Sequence, residues 1–221
     1  MHHIRDDDLA AMDARYRNMM INSLSGFKSA NLIGTSNANG EFNLAIFSSV
    51  VHLGSSPALV GFITRPNSVS RHTLENIRLT GHFTINQVSE DFWQAAHQTS
   101  ARYSAEQCEF EQTGLTPQII DGITAPFVQE SRLKYALTLE QIIPIDINNT
   151  LMIIGRISHI LCDEQAIKND GYIDIQCLDT VMVSGLDSYH TGSRLSRLSY
   201  AKPNMALRKL SLDGQPETNL T

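Results

Sequence analysis

Two long segments of strand-like sequence late in the chain constrain the fold most. Apolar side chains occupy every second position of residues 133–139, and residues 151–162 form a second strand candidate. Such alternation is typical of a β-strand that buries one face. The Asn148–Asn149 pair between the segments predicts a turn, because asparagine tolerates turn conformations well. The sequence therefore predicts a long antiparallel hairpin.

A second hairpin is predicted near the start of the chain. Residues 30–35 form a short strand candidate, and Asn39–Gly40 is a pair favoured in two-residue hairpin turns. Apolar residues at 42, 44 and 46 then alternate with their neighbours, which predicts a returning strand.

Helices are expected between further strands. The additional strands are predicted at 58–64 and 82–86, and the helices from the acidic cluster at 6–8 through Met20, from near Ser70 to Gly81, over 90–98 and over 101–110. This order does not alternate strands and helices as a doubly wound parallel sheet does. We therefore expect a mainly β (α+β) fold, an antiparallel barrel with inserted helices that is closed around one core.

The chain is predicted to contain one domain with two extensions. Residues 1–27 form an N-terminal helix and lead-in, residues 28–190 the domain, and residues 191–221 a C-terminal arm. Few apolar residues occur from Asn204 onward, which is typical of a surface arm or a partly ordered tail.

Charge and composition exclude several classes of function. The 221 residues include 17 basic and 23 acidic side chains, which give a formal net charge of −6, and no Lys/Arg-rich run occurs. We therefore expect no nucleic-acid partner and no anionic membrane partner. With 42% hydrophobic residues, a chain of this length can bury a substantial core.

The cysteines and the N-terminus favour a cytoplasmic location. Cys108, Cys162 and Cys177 are too few and too scattered for a disulfide framework or a four-cysteine zinc site. The first residues lack a basic region followed by an apolar stretch, and no run of about 18 apolar residues occurs. We predict a cytoplasmic protein without a membrane span.

Common catalytic and metal-binding motifs are absent. The sequence contains no G-x-G-x-x-G after a strand, no P-loop, no H-E-x-x-H and no G-x-S-x-G. His52, His82, His97 and His159 lack paired ligand spacing, so we interpret them as surface or structural histidines. The sequence predicts neither a catalytic side chain nor a metal site.

Two segments are suited to hold a phosphate and a flat ring. Residues 43–49 combine small and hydroxyl side chains at the end of a strand, and Ser70, Arg71 and Thr73 lie at a predicted helix start. The alternative for the first segment is an ordinary strand that runs into a turn. The alternative for the second is a plain helix cap with an exposed arginine. Neither segment decides the function alone.

Taken in order, these segments resemble the flavin reductase-like family of FMN-binding split-barrel proteins. The family pattern T-x-x-x-x-G-x-x-N-x-A-x-x-S is matched from Thr35 to Ser48, and a basic-x-Thr followed by Asn-Ile from Arg71 to Ile77. Residues 57–62, 83–86 and 155–157 also match, and residues 185–190 and 194–197 resemble the C-terminal segment of a subgroup. The sequence departs from the family at His72, where many relatives have an acidic residue.

The resemblance implies a six-stranded antiparallel Greek-key split barrel that forms a homodimer, with flavin near the subunit interface. It implies that the FMN phosphate is held by Ser48, Ser49, Arg71 and Thr73. It implies that the ring and the ribityl chain are lined by Thr35, Ser36, Asn43, Leu44 and Ala45. Asn76 would support the helix start, and Tyr189 and His190 would lie near the flavin or at the dimer contact.

The function implied by this resemblance is an FMN oxidoreductase. NADH or NADPH would reduce the flavin by hydride transfer to flavin N5, and a partner such as a monooxygenase would accept the electrons. The flavin carries the redox chemistry, so no catalytic side chain is required. Two alternatives stay open, an FMN-binding protein without nicotinamide turnover and a barrel that has lost its flavin.

Overall fold

The computed structural model of the chain describes residues 1–65, 72–104 and 107–217. The helices over these residues are α1 (Asp6–Ala11), α2 (Ala14–Ser23), α3 (His72–Thr80), α4 (Trp93–Gln98) and α5 (Glu109–Thr113), with a 3-10 helix at Glu164–Ala166. The strands are β1 (Lys28–Ser29), β2 (Asn31–Ser36), β3 (Phe42–Phe47), β4 (Val51–Ser55), β5 (Ala58–Thr64), β6 (His82–Gln87), β7 (Pro117–Ile120), β8 (Ile123–Val128), β9 (Leu133–Ile145), β10 (Thr150–Cys162), β11 (Met182–Ser184), β12 (Ser188–His190), β13 (Arg197–Leu198) and β14 (Lys209–Leu210).

A seven-stranded antiparallel sheet forms the centre of the fold, in the order β3-β2-β6-β9-β10-β5-β4. Both predicted hairpins are present, since β2 pairs with β3 and β9 pairs with β10. Smaller sheets join β1 with β11 and β12, β7 with β8, and β13 with β14. The prediction of a mainly β antiparallel fold with inserted helices is confirmed.

The main sheet differs from the expected closed barrel of six strands. The main sheet has seven strands instead of six, and within the described residues its edge strands β3 and β4 do not pair with each other. Nor does the interior form one core. Leu32 and Ile33 are neighbours in β2, and they pack into two different buried clusters. Successive strand residues point to opposite faces, so β2 buries apolar side chains on both sides.

The predicted N-terminal helix is divided into two. The Asp13 carboxylate accepts hydrogen bonds from the backbone N–H groups of Arg15 and Tyr16, at 2.9 and 3.1 Å. An aspartate in this position caps a new helix. Consequently α1 ends at Ala11 and α2 begins at Ala14.

The helix predicted over 101–110 is also wrong, because α5 begins only at Glu109. In the preceding segment the Gln107 side chain accepts a hydrogen bond from the Ser104 backbone at 3.2 Å. Bonds of this kind offer the backbone an alternative to helix formation.

The turn between β2 and β3 is longer than predicted. Ser36 pairs with Phe42, so five residues instead of two form the loop. The Asn37 side chain accepts from the backbone N–H groups of Asn39 and Glu41, at 2.9 and 3.0 Å, and organises this loop. Gly40 alone has a positive φ there, at 81°.

Residues 191–217 are mostly exposed, and ion pairs join Arg194 to Asp174 and Arg197 to Asp170. Arg197 contacts Asp170 at 2.5 Å and stacks over the Tyr172 ring at 4.3 Å. Among the described residues, no helix combines the length and the apolar character needed to cross a membrane.

Candidate functional site

A cleft of about 1050 Å³ opens between β3, the end of β5, the start of α3 and the segment that joins α4 to α5. Its volume is at the upper end of the range for small-molecule and cofactor sites. A second cavity of about 470 Å³ lies around Lys134 and Cys162 and is lined by none of the residues predicted to bind flavin.

The structure brings about half of the predicted site residues to this cleft. Those that line it are Asn43, Ala45, Ser48, Ser49, Thr73 and Tyr189. The predicted residues that do not line it are Thr35, Ser36, Leu44, Asn76 and His190. Arg71 lies outside the described residues, as does Ser70.

A buried hydrogen-bond network explains where Thr35 and Asn76 lie. The Asn43 side-chain amide donates to Thr35 Oγ1 at 3.3 Å and to Thr73 Oγ1 at 3.1 Å. Asn76 Nδ2 also donates to Thr35 Oγ1, at 3.1 Å. Thr35 and Asn43 face each other across the β2–β3 pair, as the sequence predicts. The network attaches the start of α3 to both strands behind the cleft wall.

The same network leaves polar groups free at the cleft surface. Thr73 Oγ1 accepts from Asn43, so its own hydroxyl hydrogen is available to a ligand. Both amide hydrogens of Asn43 are used within the protein, which leaves its carbonyl oxygen as an acceptor. The Ser48 hydroxyl has no hydrogen-bond partner within the described residues.

Ser49 differs from Ser48, because its hydroxyl already serves the fold. Ser49 Oγ donates to the carbonyl oxygen of Ile63 at 2.9 Å and accepts from the Ile63 N–H at 3.2 Å. These two bonds join the segment that follows β3 to strand β5. The Ser49 side chain therefore positions Ser48 beside the end of β5.

Two neighbouring residues, Thr64 and Arg65, also line the cleft, and neither belongs to the family pattern. The Thr64 side chain is 3% exposed, and its Oγ1 is buried without a hydrogen-bond partner in the described structure. A buried hydroxyl without a partner costs about 1–3 kcal/mol. Arg65 follows directly and lines the same cleft. The sequence feature that could have indicated them is their position at the end of the apolar strand 58–64.

Glu109 is a further cleft residue that the sequence did not reveal. It is 8% exposed, and its Oε2 accepts a hydrogen bond from the Leu44 backbone at 3.0 Å. Burial raises the pKa of the Glu109 carboxyl, while that hydrogen bond and the nearby His72 oppose the rise. Glu109 thus attaches α5 to the middle of β3. The contact on the β3 side is the backbone N–H of Leu44.

Tyr189 and His190 point to different surroundings. Tyr189 lines the cleft, its hydroxyl lies 3.0 Å from His97 Nδ1, and its ring lies 5.1 Å from Trp93. Burial, with a smaller contribution from Asp187, raises the pKa of Tyr189 to about 12. His190 instead contacts Ser184 Oγ at 2.8 Å and packs against the Phe27 ring at 4.8 Å.

Comparisons with known proteins agree with this fold. The family model of the flavin reductase like domain matches residues 24–177. A split-barrel protein of the flavin reductase type from Shewanella frigidimarina NCIMB 400 is 51% identical, with a TM-score of 0.88 over 91% of this chain and 100% of that one. Nitrilotriacetate monooxygenase component B from Bacillus cereus is 20% identical and shares the fold, with a TM-score of 0.78 over 90% and 98% of the two chains.

A curated relative from Aquifex aeolicus (strain VF5) is 27% identical over 115 residues. That match covers 51% of this chain and 59% of the relative's length. The family match, by contrast, extends over more than two thirds of the chain and includes strands β3 and β5, which border the cleft. The chain belongs to the flavin reductase-like family and has its split-barrel fold.

Proposed function

We propose that the chain is an FMN-binding oxidoreductase that uses NADH or NADPH to reduce flavin. The observation that carries this proposal is a set of polar groups that line one large cleft and, within the described residues, keep unused hydrogen-bonding capacity: the hydroxyls of Ser48 and Thr73, the Asn43 carbonyl oxygen and the Arg65 guanidinium. A ligand that presents both a phosphate and a polar ring satisfies these groups together.

The phosphate end of the ligand is proposed to lie beside Ser48 and Thr73. Both hydroxyls are free to donate, and hydrogen bonds from hydroxyls to a charged phosphate are stronger than neutral ones. Arg65, two residues after the Ile63 that bonds Ser49, adds a positive charge to the cleft lining. By the family resemblance, Arg71 is proposed as a further phosphate ligand.

The ring and the ribityl chain are proposed to lie along β3, over Asn43 and Ala45. Ala45 has a small side chain, so a flat ring can approach the strand closely there. The Asn43 carbonyl oxygen then meets a polar atom of the ligand in place of water. The bound flavin supplies the hydride-accepting chemistry. The chain itself positions the cofactor and leaves an open face for the nicotinamide.

We further propose a homodimer in the cytoplasm, with an electron-accepting partner such as a monooxygenase. Cys108, Cys162 and Cys177 are all free thiols, which is compatible with a reducing compartment. The family resemblance supports the dimer and the partner.

Anaerobic addition of NADH, and separately of NADPH, to the FMN-loaded protein tests the proposal. We expect the flavin absorbance near 450 nm (about where flavins absorb) to bleach within seconds with NADH or with NADPH. If neither NADH nor NADPH bleaches the flavin, the reductase proposal is contradicted. The remaining function is then an FMN-binding protein without nicotinamide turnover. A protein that stays colourless after incubation with FMN contradicts flavin binding itself.

A further inference from the structure

Two unpaired arginines line the cleft, although the chain as a whole carries a formal charge of −6. Neither the Arg65 nor the Arg102 guanidinium makes an ion pair or a hydrogen bond within the described residues, and both border the same cleft. The other groups of possible charge along this cleft are His72, His97, Glu109 and Asp187. Unpaired guanidiniums at a cleft are suited to bind anions.

The two arginines belong to different walls of the cleft. Arg65 directly follows β5, the strand whose Ile63 is hydrogen-bonded to Ser49, the neighbour of the proposed phosphate ligand Ser48. Arg102 lies in the segment between α4 and α5, where Ser100, Tyr103 and Ser104 also line the cleft. One phosphate group held at the first wall therefore leaves Arg102 available to a second anionic group.

The structure holds both sides of the Arg102 segment in place. On the α4 side, His97 Nδ1 contacts the Tyr189 hydroxyl at 3.0 Å, and Gln98 donates to the Tyr103 hydroxyl at 3.0 Å. On the α5 side, Glu109 accepts from the Leu44 backbone at 3.0 Å. These contacts place Arg102 at the cleft without using its guanidinium.

We propose that Arg102 binds a phosphate group of the adenine dinucleotide reductant. This inference rests on the proposed function, because it assigns a residue to the second substrate of that cleft. A guanidinium forms paired hydrogen bonds to phosphate oxygens, which both the pyrophosphate of NADH and the additional 2′-phosphate of NADPH provide. Arg102 is then a specificity-determining residue for the reductant.

The test compares Arg102→Ala with the wild-type protein, using Arg78→Ala as the matched control. Arg78 is an exposed residue of α3 that does not line the cleft. We expect Arg102→Ala to raise the KM for the dinucleotide by roughly tenfold or more, because the variant loses the charge-assisted hydrogen bonds of the guanidinium. A rise for NADPH alone indicates the 2′-phosphate, and an equal rise for both nucleotides indicates the pyrophosphate. We expect Arg78→Ala to leave the KM for NADH and the KM for NADPH unchanged.

Calorimetric titration of the FMN-loaded protein provides a second measurement that does not depend on turnover. The probes are ADP, which carries a pyrophosphate, and adenosine 2′,5′-bisphosphate, which carries the 2′-phosphate. Weaker binding of either probe by Arg102→Ala shows that Arg102 binds an adenine-nucleotide phosphate, even where neither NADH nor NADPH bleaches the flavin and the reductase proposal fails. Unchanged KM values and unchanged probe affinities overturn it, as does a wild-type protein that binds neither probe.

Discussion

Replacing Ser48 and Thr73 together by alanine is expected to weaken FMN binding roughly 100-fold, a loss of about 3 kcal/mol from two charge-assisted hydrogen bonds. Both hydroxyls line the cleft, and both can donate to an anionic ligand. Riboflavin lacks the phosphate, so the same double variant is expected to bind riboflavin about as well as the wild-type protein does. Fluorescence titration with FMN and with riboflavin measures both affinities.

Ser49→Ala is the matched control for this prediction. The Ser49 hydroxyl is occupied by both backbone groups of Ile63, so its loss affects the contact between β3 and β5. We expect a lower free energy of unfolding for Ser49→Ala, with a smaller change in FMN affinity than in the double variant. Equal FMN affinity of the double variant and the wild-type protein contradicts the placement of the phosphate.

Gly34→Ala is expected to destabilise the fold by about 3 kcal/mol or more, from overpacking together with the loss of a buried hydrogen bond. A Cβ at Gly34 would overlap the Pro126 carbonyl oxygen of β8 and would lie 2.6 Å from Thr84 Oγ1. Thr84 Oγ1 donates to that same carbonyl oxygen at 2.6 Å, and Asn86 Nδ2 donates to Thr84 Oγ1 at 3.0 Å. The added methyl group therefore separates β8 from the sheet.

Urea unfolding measures this effect, with Gly54→Ala as the control. A Cβ at Gly54 meets only the Pro57 carbonyl oxygen, at an ordinary contact distance of 3.5 Å. We expect the free energy of unfolding of Gly54→Ala to differ from the wild-type value by less than about 1 kcal/mol. A Gly34→Ala variant as stable as Gly54→Ala would show that β8 can move without cost.

The strands were predictable where one periodic pattern determines them. The apolar segment 58–64 coincides with β5, and the long hairpin has the predicted turn, in which Asn149 has a φ of 56°. Strands β4, β7 and β8 were not predicted, although β4 pairs with its neighbour β5 and β7 with its neighbour β8. Gly54, Pro117 and Pro126 interrupt the apolar patterns of these short strands. The order of the strands in the main sheet depends on pairing between distant segments, such as β2 with β6, and local periodicity does not encode it.

The site was predictable where the family pattern covers it, as at Asn43 and Ala45. Thr64 and Glu109 reach the cleft through tertiary structure: Thr64 by the contact of β5 with Ser49, and Glu109 by its bond to the Leu44 backbone. Neither residue occupies a motif position. Their relation to the cleft becomes visible only once β3, β5 and α5 are brought together.

The location of bound FMN tests the central claim most directly. We predict that a crystal structure of the protein soaked with FMN shows the phosphate beside Ser48 and Thr73 and the ring over Ala45. Density for FMN around Lys134 and Cys162, in the smaller cavity, would contradict the account. A cleft that stays free of FMN at saturating concentration would contradict it as well.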